Sequence, residues 1–249
     1  MIWGLTISYK VIMDINATKN ELEAKAYAKI TVSPNNLSFK STASSKTIKV
    51  TCSDSSWTVG GGNDWCTITK VSNTSAKVSV KANTSDFRST GVVCVNGSNV
   101  ATISVTQEVL LDRSKLVTAY KQITNSSCAA TCAAMCVNKS PETLKNDGID
   151  LEYAMWSTIA TKYGYKSTGP DSTSLKSIYN TLKSGYPVIV QVNTGSMEHW
   201  VVVTKYSGNS TTLSADDFTC IDPWDAKTKV LSSATRYSAP NKAVVFKKS

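Results

Sequence analysis

Histidine is nearly absent from this chain: His199 is the only one in 249 residues. A zinc site of cysteine and histidine ligands would therefore depend almost wholly on cysteine. The one close set is Cys128, Cys132 and Cys136, and on a helix its ends would lie roughly 12 Å apart, too far to share one ion. The seven cysteines are odd in number and irregularly spaced, which argues against a disulfide framework. We predict no metal site and no cofactor.

Long apolar runs and basic clusters are also missing. The sequence contains no run of about 18 apolar residues, the length needed to span a membrane. Its first residues lack the pattern of an export signal. The net charge is +9, yet no run of Lys and Arg exceeds two residues, so nucleic acid is not an expected partner. The diffuse charge favours an anionic partner, such as an acidic glycan, a teichoic polymer or an acidic peptide, or is simply a soluble basic surface.

The composition changes along the chain and predicts several regions. Residues 1–28 have helix-capping and helix-forming residues and are predicted to be an N-terminal arm or adaptor. Residues 29–107 are rich in Ser, Thr, Asn and Val, and their short strands, about 8–14 residues apart, indicate an all-β sandwich. Residues 108–114 are predicted to be a linker. Residues 115–249 have helices first and strands after, which predicts an α+β domain with its helices on one side of a sheet.

The predicted elements of this last region follow from periodicity and turn signals. The helices are Cys128–Val137, Leu151–Tyr163 and Ser174–Ser184; the strands are Pro187–Val192, His199–Val203, Thr211–Ala215 and Lys242–Phe246.

The stretch 29–107 resembles a BACON domain. The motifs that carry the likeness are Val32-Ser33-Pro34, Leu37-Ser38-Phe39, Ser56-Trp57, Asp64-Trp65, Asn83, Arg88 and Ile103-Ser104-Val105-Thr106-Gln107. BACON domains are immunoglobulin-like modules common in surface proteins of Bacteroidetes and in phages of those bacteria. The resemblance implies an attachment or spacer module, for which carbohydrate binding has been proposed. Trp57 and Trp65 are candidate sugar-stacking platforms, although filling of the sandwich core is the favoured interpretation.

Four residues of the second half could form a nucleophilic site. Cys128 follows N-cap candidates at the start of a predicted helix, where N–H groups lower a thiol pKa. His199, at the rim of a predicted sheet, is suited to proton transfer near neutrality. Asp222, just before a proline at a strand end, could orient the imidazole, with Asp225 as its competitor. The side-chain amide of Gln122 could join the Cys128 N–H in holding an oxyanion. Each residue alone is more often merely structural.

Taken together, these residues stand in a recognisable series. It consists of Gln122, Cys128, Ala133-Ala134-Met135, Gly185-Tyr186-Pro187-Val188-Ile189-Val190, His199-Trp200-Val201-Val202-Val203 and Ile221-Asp222-Pro223. Over about residues 115–235 the chain resembles the papain-like double-glycine-leader peptidases, known from bacteriocin exporters.

This resemblance implies that Cys128 is the nucleophile, His199 the base, Asp222 its orienter and Gln122 the oxyanion residue. The family has Gly after the nucleophile where this chain has Ala129, which puts substrate fit in question.

These observations predict a cysteine peptidase, a thiol-dependent hydrolase of peptide or amide bonds that carries a BACON-like module. The expected partners are a peptide or protein substrate and, through the module, a cell-surface glycan or virion proteins. A place outside the cell or on a phage particle is favoured over the cytoplasm. The alternative is a non-catalytic structural or adhesive protein, such as a virion component, with a vestigial papain-like domain.

Overall fold

The computed structural model describes residues 29–193, 198–234 and 240–249. The arm predicted for residues 1–28 lies outside the described residues. The described chain divides into two compact units. The first comprises residues 29–83 and 88–107, and the second comprises residues 84–87 and 108–249.

The first unit consists of short strands in two four-stranded sheets. Its strands are β1 (Ile30–Ser33), β2 (Asn36–Phe39), β3 (Ser44–Cys52), β4 (Thr58–Gly61), β5 (Cys66–Ser72), β6 (Ser75–Val80), β7 (Arg88–Asn96) and β8 (Asn99–Gln107). One sheet has the order β1-β3-β6-β5 and the other β2-β8-β7-β4. Strands β2 and β8 run parallel, and the other pairs are antiparallel.

Both sheets of the first unit contribute to a single core. Ile48 and Val50 on β3 and Ile103 and Val105 on β8 are at most 1% exposed, each separated by one exposed residue. This alternation places every second side chain on the inner face, so the two sheets bury these residues against each other.

The two tryptophans of this unit differ in how deeply they are buried. Trp57 is 1% exposed in the core, and its Nε1 donates a hydrogen bond to the Asn73 carbonyl at 2.8 Å. Its ring therefore has no free face for a sugar, so the prediction of a sugar-stacking platform at Trp57 is wrong, and the favoured interpretation of core packing holds for this residue. Trp65 is half-buried, with the Arg88 guanidinium 4.4 Å from its ring centroid.

The second unit contains a seven-stranded sheet with helices. Its strands are β9 (Val109–Asp112), β10 (Tyr165–Ser172), β11 (Val188–Asn193), β12 (Glu198–Gly208), β13 (Phe218–Asp222), β14 (Lys227–Val230) and β15 (Lys242–Lys248). Its helices are α1 (Cys128–Cys136), α2 (Pro141–Asn146), α3 (Trp156–Lys162), α4 (Leu175–Lys183) and α5 (Leu231–Ala234). The sheet order is β10-β15-β11-β12-β13-β14, and β9 also pairs with β12.

The helices cover both faces of this sheet, not one face as predicted. Along β12, Trp200 and Val202 belong to the core that contains α1, whereas Val201 and Val203 belong to the core that contains α4. A strand buried on both faces has a continuous apolar sequence, and the Val-rich run of β12 is such a sequence.

Two further stretches differ from the prediction. The expected linker 108–114 contains β9, which pairs antiparallel with residues 205–208 of β12. Val109 and Leu111 of this strand are buried, as the period of two requires. The strand expected at Thr211–Ala215 is absent; the chain turns there into a 3-10 helix at Ala215–Asp217, because Ser214 and Asp217 form a capping box.

The segment 84–87 groups with the second unit through polar contacts. Asp86 Oδ1 accepts a hydrogen bond from Tyr179 Oη at 2.7 Å, and Asp86 Oδ2 lies 2.6 Å from Lys183 Nζ. The Phe87 N–H donates to Ser210 Oγ at 3.2 Å.

Candidate active site

Cys128 is the first residue of α1 and is 9% exposed. Its sulfur is hydrogen-bonded to the His199 ring and to the backbone N–H groups of Trp200 and Ala129. Burial raises the pKa of the Cys128 thiol, but these hydrogen bonds and the positive charge of His199 outweigh it, and the pKa falls below its ordinary value. The thiolate form is therefore favoured.

His199, near the start of β12, lies between Cys128 and Asp222. Its Nε2 is 2.8 Å from Asp222 Oδ1, which leaves Nδ1 for the Cys128 sulfur. Burial lowers the pKa of His199, but the hydrogen bonds to Asp222 and Cys128 outweigh it and raise the pKa to about 9. A protonated imidazole beside a thiolate is the form that this arrangement stabilises.

Asp222 is the last residue of β13, the neighbour of β12 in the sheet. Its Oδ1 also accepts a hydrogen bond from the Trp224 N–H at 2.9 Å, and its Oδ2 lies 2.7 Å from Lys229 Nζ. Burial raises the pKa of Asp222, but the bonds from His199, Lys229 and Trp224 hold it well below its usual range. The carboxylate is thus ionised and oriented towards the ring.

Asp225, the competitor for this role, lies in the turn after β13. Its Oδ1 accepts from the Lys227 N–H at 3.1 Å, and its Oδ2 lies 3.3 Å from Lys229 Nζ. The His199 Nε2–H donates its hydrogen bond to Asp222 and not to Asp225.

Gln122 is 8% exposed and lies on the loop before α1. Its Nε2 donates to the carbonyls of Thr124 at 2.8 Å and Asn125 at 3.2 Å, and its Oε1 is buried without a hydrogen-bond partner. Its own N–H donates to the Pro223 carbonyl at 2.7 Å, which ties the loop to the turn after Asp222. Both side-chain N–H groups are therefore engaged, and an oxyanion role requires one of them to exchange partners.

Two residues near the site were not expected from the sequence. Lys229 on β14 reaches Asp222, a contact set by the pairing of β13 with β14. Glu152 accepts hydrogen bonds from the hydroxyls of Thr124 and Ser126 and so braces the loop before Cys128. Local sequence carries no signal for either contact, because each joins segments that only the fold brings together.

The other two cysteines of α1 differ sharply from Cys128. The Cys132 thiol donates to the Trp200 carbonyl at 3.3 Å, and its burial raises its pKa well above the ordinary value. Burial raises the pKa of Cys136 to about 12. Both thiols stay protonated in the interior, where they pack against neighbouring side chains.

Within residues 29–193, 198–234 and 240–249, no group of three or more His, Cys, Asp or Glu side chains could hold a metal ion. The same described part has no helix that is long and apolar enough to cross a membrane.

Comparisons with known proteins give one family and two solved structures. The structures are an endo-fucoidan hydrolase of glycoside hydrolase family 107 and a variant of that enzyme. The enzyme shares 17% identity with this chain at a TM-score of 0.26, and the match covers 31% of this chain. The variant shares 18% identity at a TM-score of 0.27, and the match covers 32% of this chain. In both cases the match spans 13% of the other protein's length. No curated protein matched the sequence. The pattern of the peptidase C39-like family matches residues 115–243, just over half of the chain. The chain belongs to the peptidase C39-like family, and its second unit is a domain of the cysteine peptidase type.

Proposed function

We propose that this protein hydrolyses peptide or amide bonds by thiol catalysis, with Cys128 as nucleophile, His199 as acid and base, and Asp222 as the residue that orients His199. The observation that carries the proposal is the continuous chain of hydrogen bonds from the Cys128 sulfur through His199 to Asp222 at 2.8 Å. Membership of a peptidase family supports a peptide or protein as substrate.

The reaction proceeds in two stages. The Cys128 thiolate attacks the carbonyl carbon and forms a C–S bond, and the electron pair of the C=O bond moves to oxygen. As this pair returns, the C–N bond breaks, and the imidazolium of His199 gives its proton to the leaving amine. Neutral His199 then takes a proton from water, whose oxygen attacks the thioester. The C–S bond breaks, which releases the acid and restores the thiolate and imidazolium.

The oxyanion of each stage needs preorganised donors. The backbone N–H of Cys128, at the start of α1, is one proposed donor. Gln122 becomes the second when it exchanges its longer hydrogen bond, 3.2 Å to the Asn125 carbonyl, for the oxyanion. Its other bond, 2.8 Å to the Thr124 carbonyl, keeps the amide in place during this exchange.

We further propose that residues 29–107 are a BACON-type, immunoglobulin-like module that attaches or spaces the hydrolase at a cell surface or on a phage particle. The order of its motifs and its two packed sheets support this role. The half-buried Trp65 is the candidate sugar-stacking residue of this module, because Trp57 fills the core.

Alkylation and digestion test the proposed function together. We expect iodoacetamide to modify Cys128 at least about 100-fold faster than the other cysteines near pH 7, since it alone in the α1 stripe has a lowered pKa. Mass spectrometry of a digested peptide mixture is expected to show cleavage by the wild type and by Cys136→Ala, and none by Cys128→Ala. Labelling led by another cysteine, or cleavage that survives Cys128→Ala in the folded protein, overturns the proposal.

A further inference from the structure

Asp222 has a second ionic partner besides His199. Lys229 Nζ lies 2.7 Å from Asp222 Oδ2, the oxygen that His199 does not use, and 3.3 Å from Asp225 Oδ2. In the pairing of β13 with β14, Lys227 lies opposite Asp222 and Lys229 lies opposite Cys220. Lys229 is therefore the diagonal neighbour of Asp222 on the adjacent strand. The long side chain of Lys229 thus ends on the carboxylate that orients the catalytic imidazole.

The carboxylate of Asp222 therefore lies between two cations when His199 is protonated. A positive charge at Lys229 disfavours a second positive charge on His199 and favours a negative charge on Cys128. Solvent screens this influence only in part, because the Asp222 side chain is 9% exposed and that of Lys229 is 30% exposed. Lys229 thus acts on both members of the reactive pair in the same direction, towards lower pKa.

Other titratable groups also lie near Asp222. Cys132 from α1 and Cys220 from β13 face it, and burial raises the pKa of both thiols, so they are neutral there. Asp225 adds a negative charge from the turn, on the far side of Lys229. In the described part of the chain, the ion pairs of Asp222 are those with His199 and Lys229.

We infer that Lys229 is a positioning residue of the site: it anchors the Asp222 carboxylate and lowers the pH range in which the Cys128 thiolate and the His199 imidazolium coexist. This inference rests on the proposed function of Cys128, His199 and Asp222. It adds a fourth member that acts through Asp222.

The test is a titration that needs no substrate. His199 is the only histidine in the chain, so its imidazole gives one unambiguous NMR signal. The rate of iodoacetamide modification of Cys128, measured as a function of pH, gives the midpoint at which the Cys128 thiol loses its proton. In Lys229→Met and in Lys229→Gln, which keeps a donor but loses the charge, we expect both midpoints to rise by about 0.5 to 1 pH unit.

Two matched variants separate the charge at this position from a general change of charge. Lys229→Arg keeps the cation and is expected to leave both midpoints within 0.2 units of the wild type (about the precision of such a titration). Lys205→Met removes a lysine of the same sheet that pairs with Asp112 at 3.1 Å, outside the site, and is expected to shift neither midpoint.

The inference is overturned if the midpoints do not change in a folded Lys229→Met or Lys229→Gln variant. It is also overturned if Lys205→Met shifts the midpoints equally. A wild type whose Cys128 titrates with His199 yet cleaves no peptide contradicts the proposed function and leaves this inference standing. The two failures are therefore distinguishable.

Discussion

Both units of the molecule bury glutamine, and Gln107 of the first unit differs from Gln122 of the second in how its side chain is hydrogen-bonded. Gln107 in the first unit is 0% exposed. Its Oε1 accepts two hydrogen bonds from Arg88, at 2.7 and 2.9 Å, and its Nε2 donates to the carbonyls of Lys40 and Lys81 at 3.0 and 2.9 Å. Gln122 in the second unit uses its donors on a loop and leaves its buried Oε1 without a partner.

The same contrast holds for the two units as wholes. Among the described residues, the buried side-chain atoms without a hydrogen-bond partner are Gln122 Oε1, Thr131 Oγ1, Gln191 Oε1 and Tyr206 Oη, all of the second unit. Each unsatisfied polar group costs stability, and such groups concentrate where function demands them. Within the part of the chain that the structure describes, the buried side-chain polar atoms of the first unit all have partners, whereas the second unit leaves four unpaired, one of them Gln122 Oε1 on the loop before Cys128.

The largest effect that this contrast predicts is for Asp222. Asp222→Asn should lower kcat by about two to four orders of magnitude, because the amide no longer stabilises the imidazolium or holds its ring in place. The control is Asp225→Asn, whose carboxylate contacts Lys229 and the Lys227 N–H and is expected to leave kcat nearly unchanged. If the two variants exchange these results, Asp225 holds the orienting role. If neither lowers kcat while Cys128→Ala abolishes cleavage, the site works as a dyad.

The two glutamines provide the next test, which can break the comparison directly. Gln122→Ala should lower kcat by about 100-fold or more, since an oxyanion donor is lost. Its cost in stability should be smaller than that of Gln107→Ala, because the change removes the unpartnered Oε1 together with two hydrogen bonds to loop carbonyls. Gln107→Ala should leave kcat unchanged and lower the free energy of unfolding of the first unit by about 2 to 4 kcal/mol, because the Arg88 guanidinium and several carbonyls lose partners. Cleavage rates and denaturant unfolding curves of both variants show whether each substitution lowers activity or stability. Equal losses of activity in both would mean that the contrast between the units is wrong.

A smaller effect is expected from pH. Cleavage should increase as pH rises through the lowered pKa of Cys128 and fall again above about pH 9, where His199 loses the proton that the leaving amine requires. Because the two groups are coupled, these midpoints belong to the pair. On the alkaline side, kcat/KM should fall about tenfold per pH unit. A fall centred near pH 6.5, the ordinary pKa of a histidine, would contradict the stabilised imidazolium.

The sequence predicts a set of site residues through the resemblance of the whole motif series, because each member alone is a weak signal. The single histidine and a cysteine at a helix start limit the candidates but leave both Asp222 and Asp225 open, and the structure joins Cys128, His199 and Asp222 in one hydrogen-bonded chain. The side-chain direction of Gln122 could not be predicted, since it depends on loop carbonyls only two and three residues away.

The parts of the fold that escaped prediction depend on long-range pairing. The Lys229 contact depends on the register of β14 against β13, which no local pattern specifies. The four residues Val109–Asp112 are predicted from the sequence as part of a linker, because their strand conformation depends on pairing with β12. The prediction of helices on one face follows from their order before the strands, and this order does not specify which face each helix covers; the Val-rich run of β12 contributes to a core on each face.

Strand β9 has a practical consequence for dissecting the protein. The family match begins at residue 115, but β9 ends at Asp112, so a fragment cut at the match would lack this strand. Residues 205–208 of β12 would then present unpaired N–H and C=O groups along an open edge, which is a template for pairing with another copy and for aggregation. Insolubility of such a fragment would reflect the missing strand and would say nothing about the catalytic residues. A fragment that begins at Glu108 keeps the edge covered.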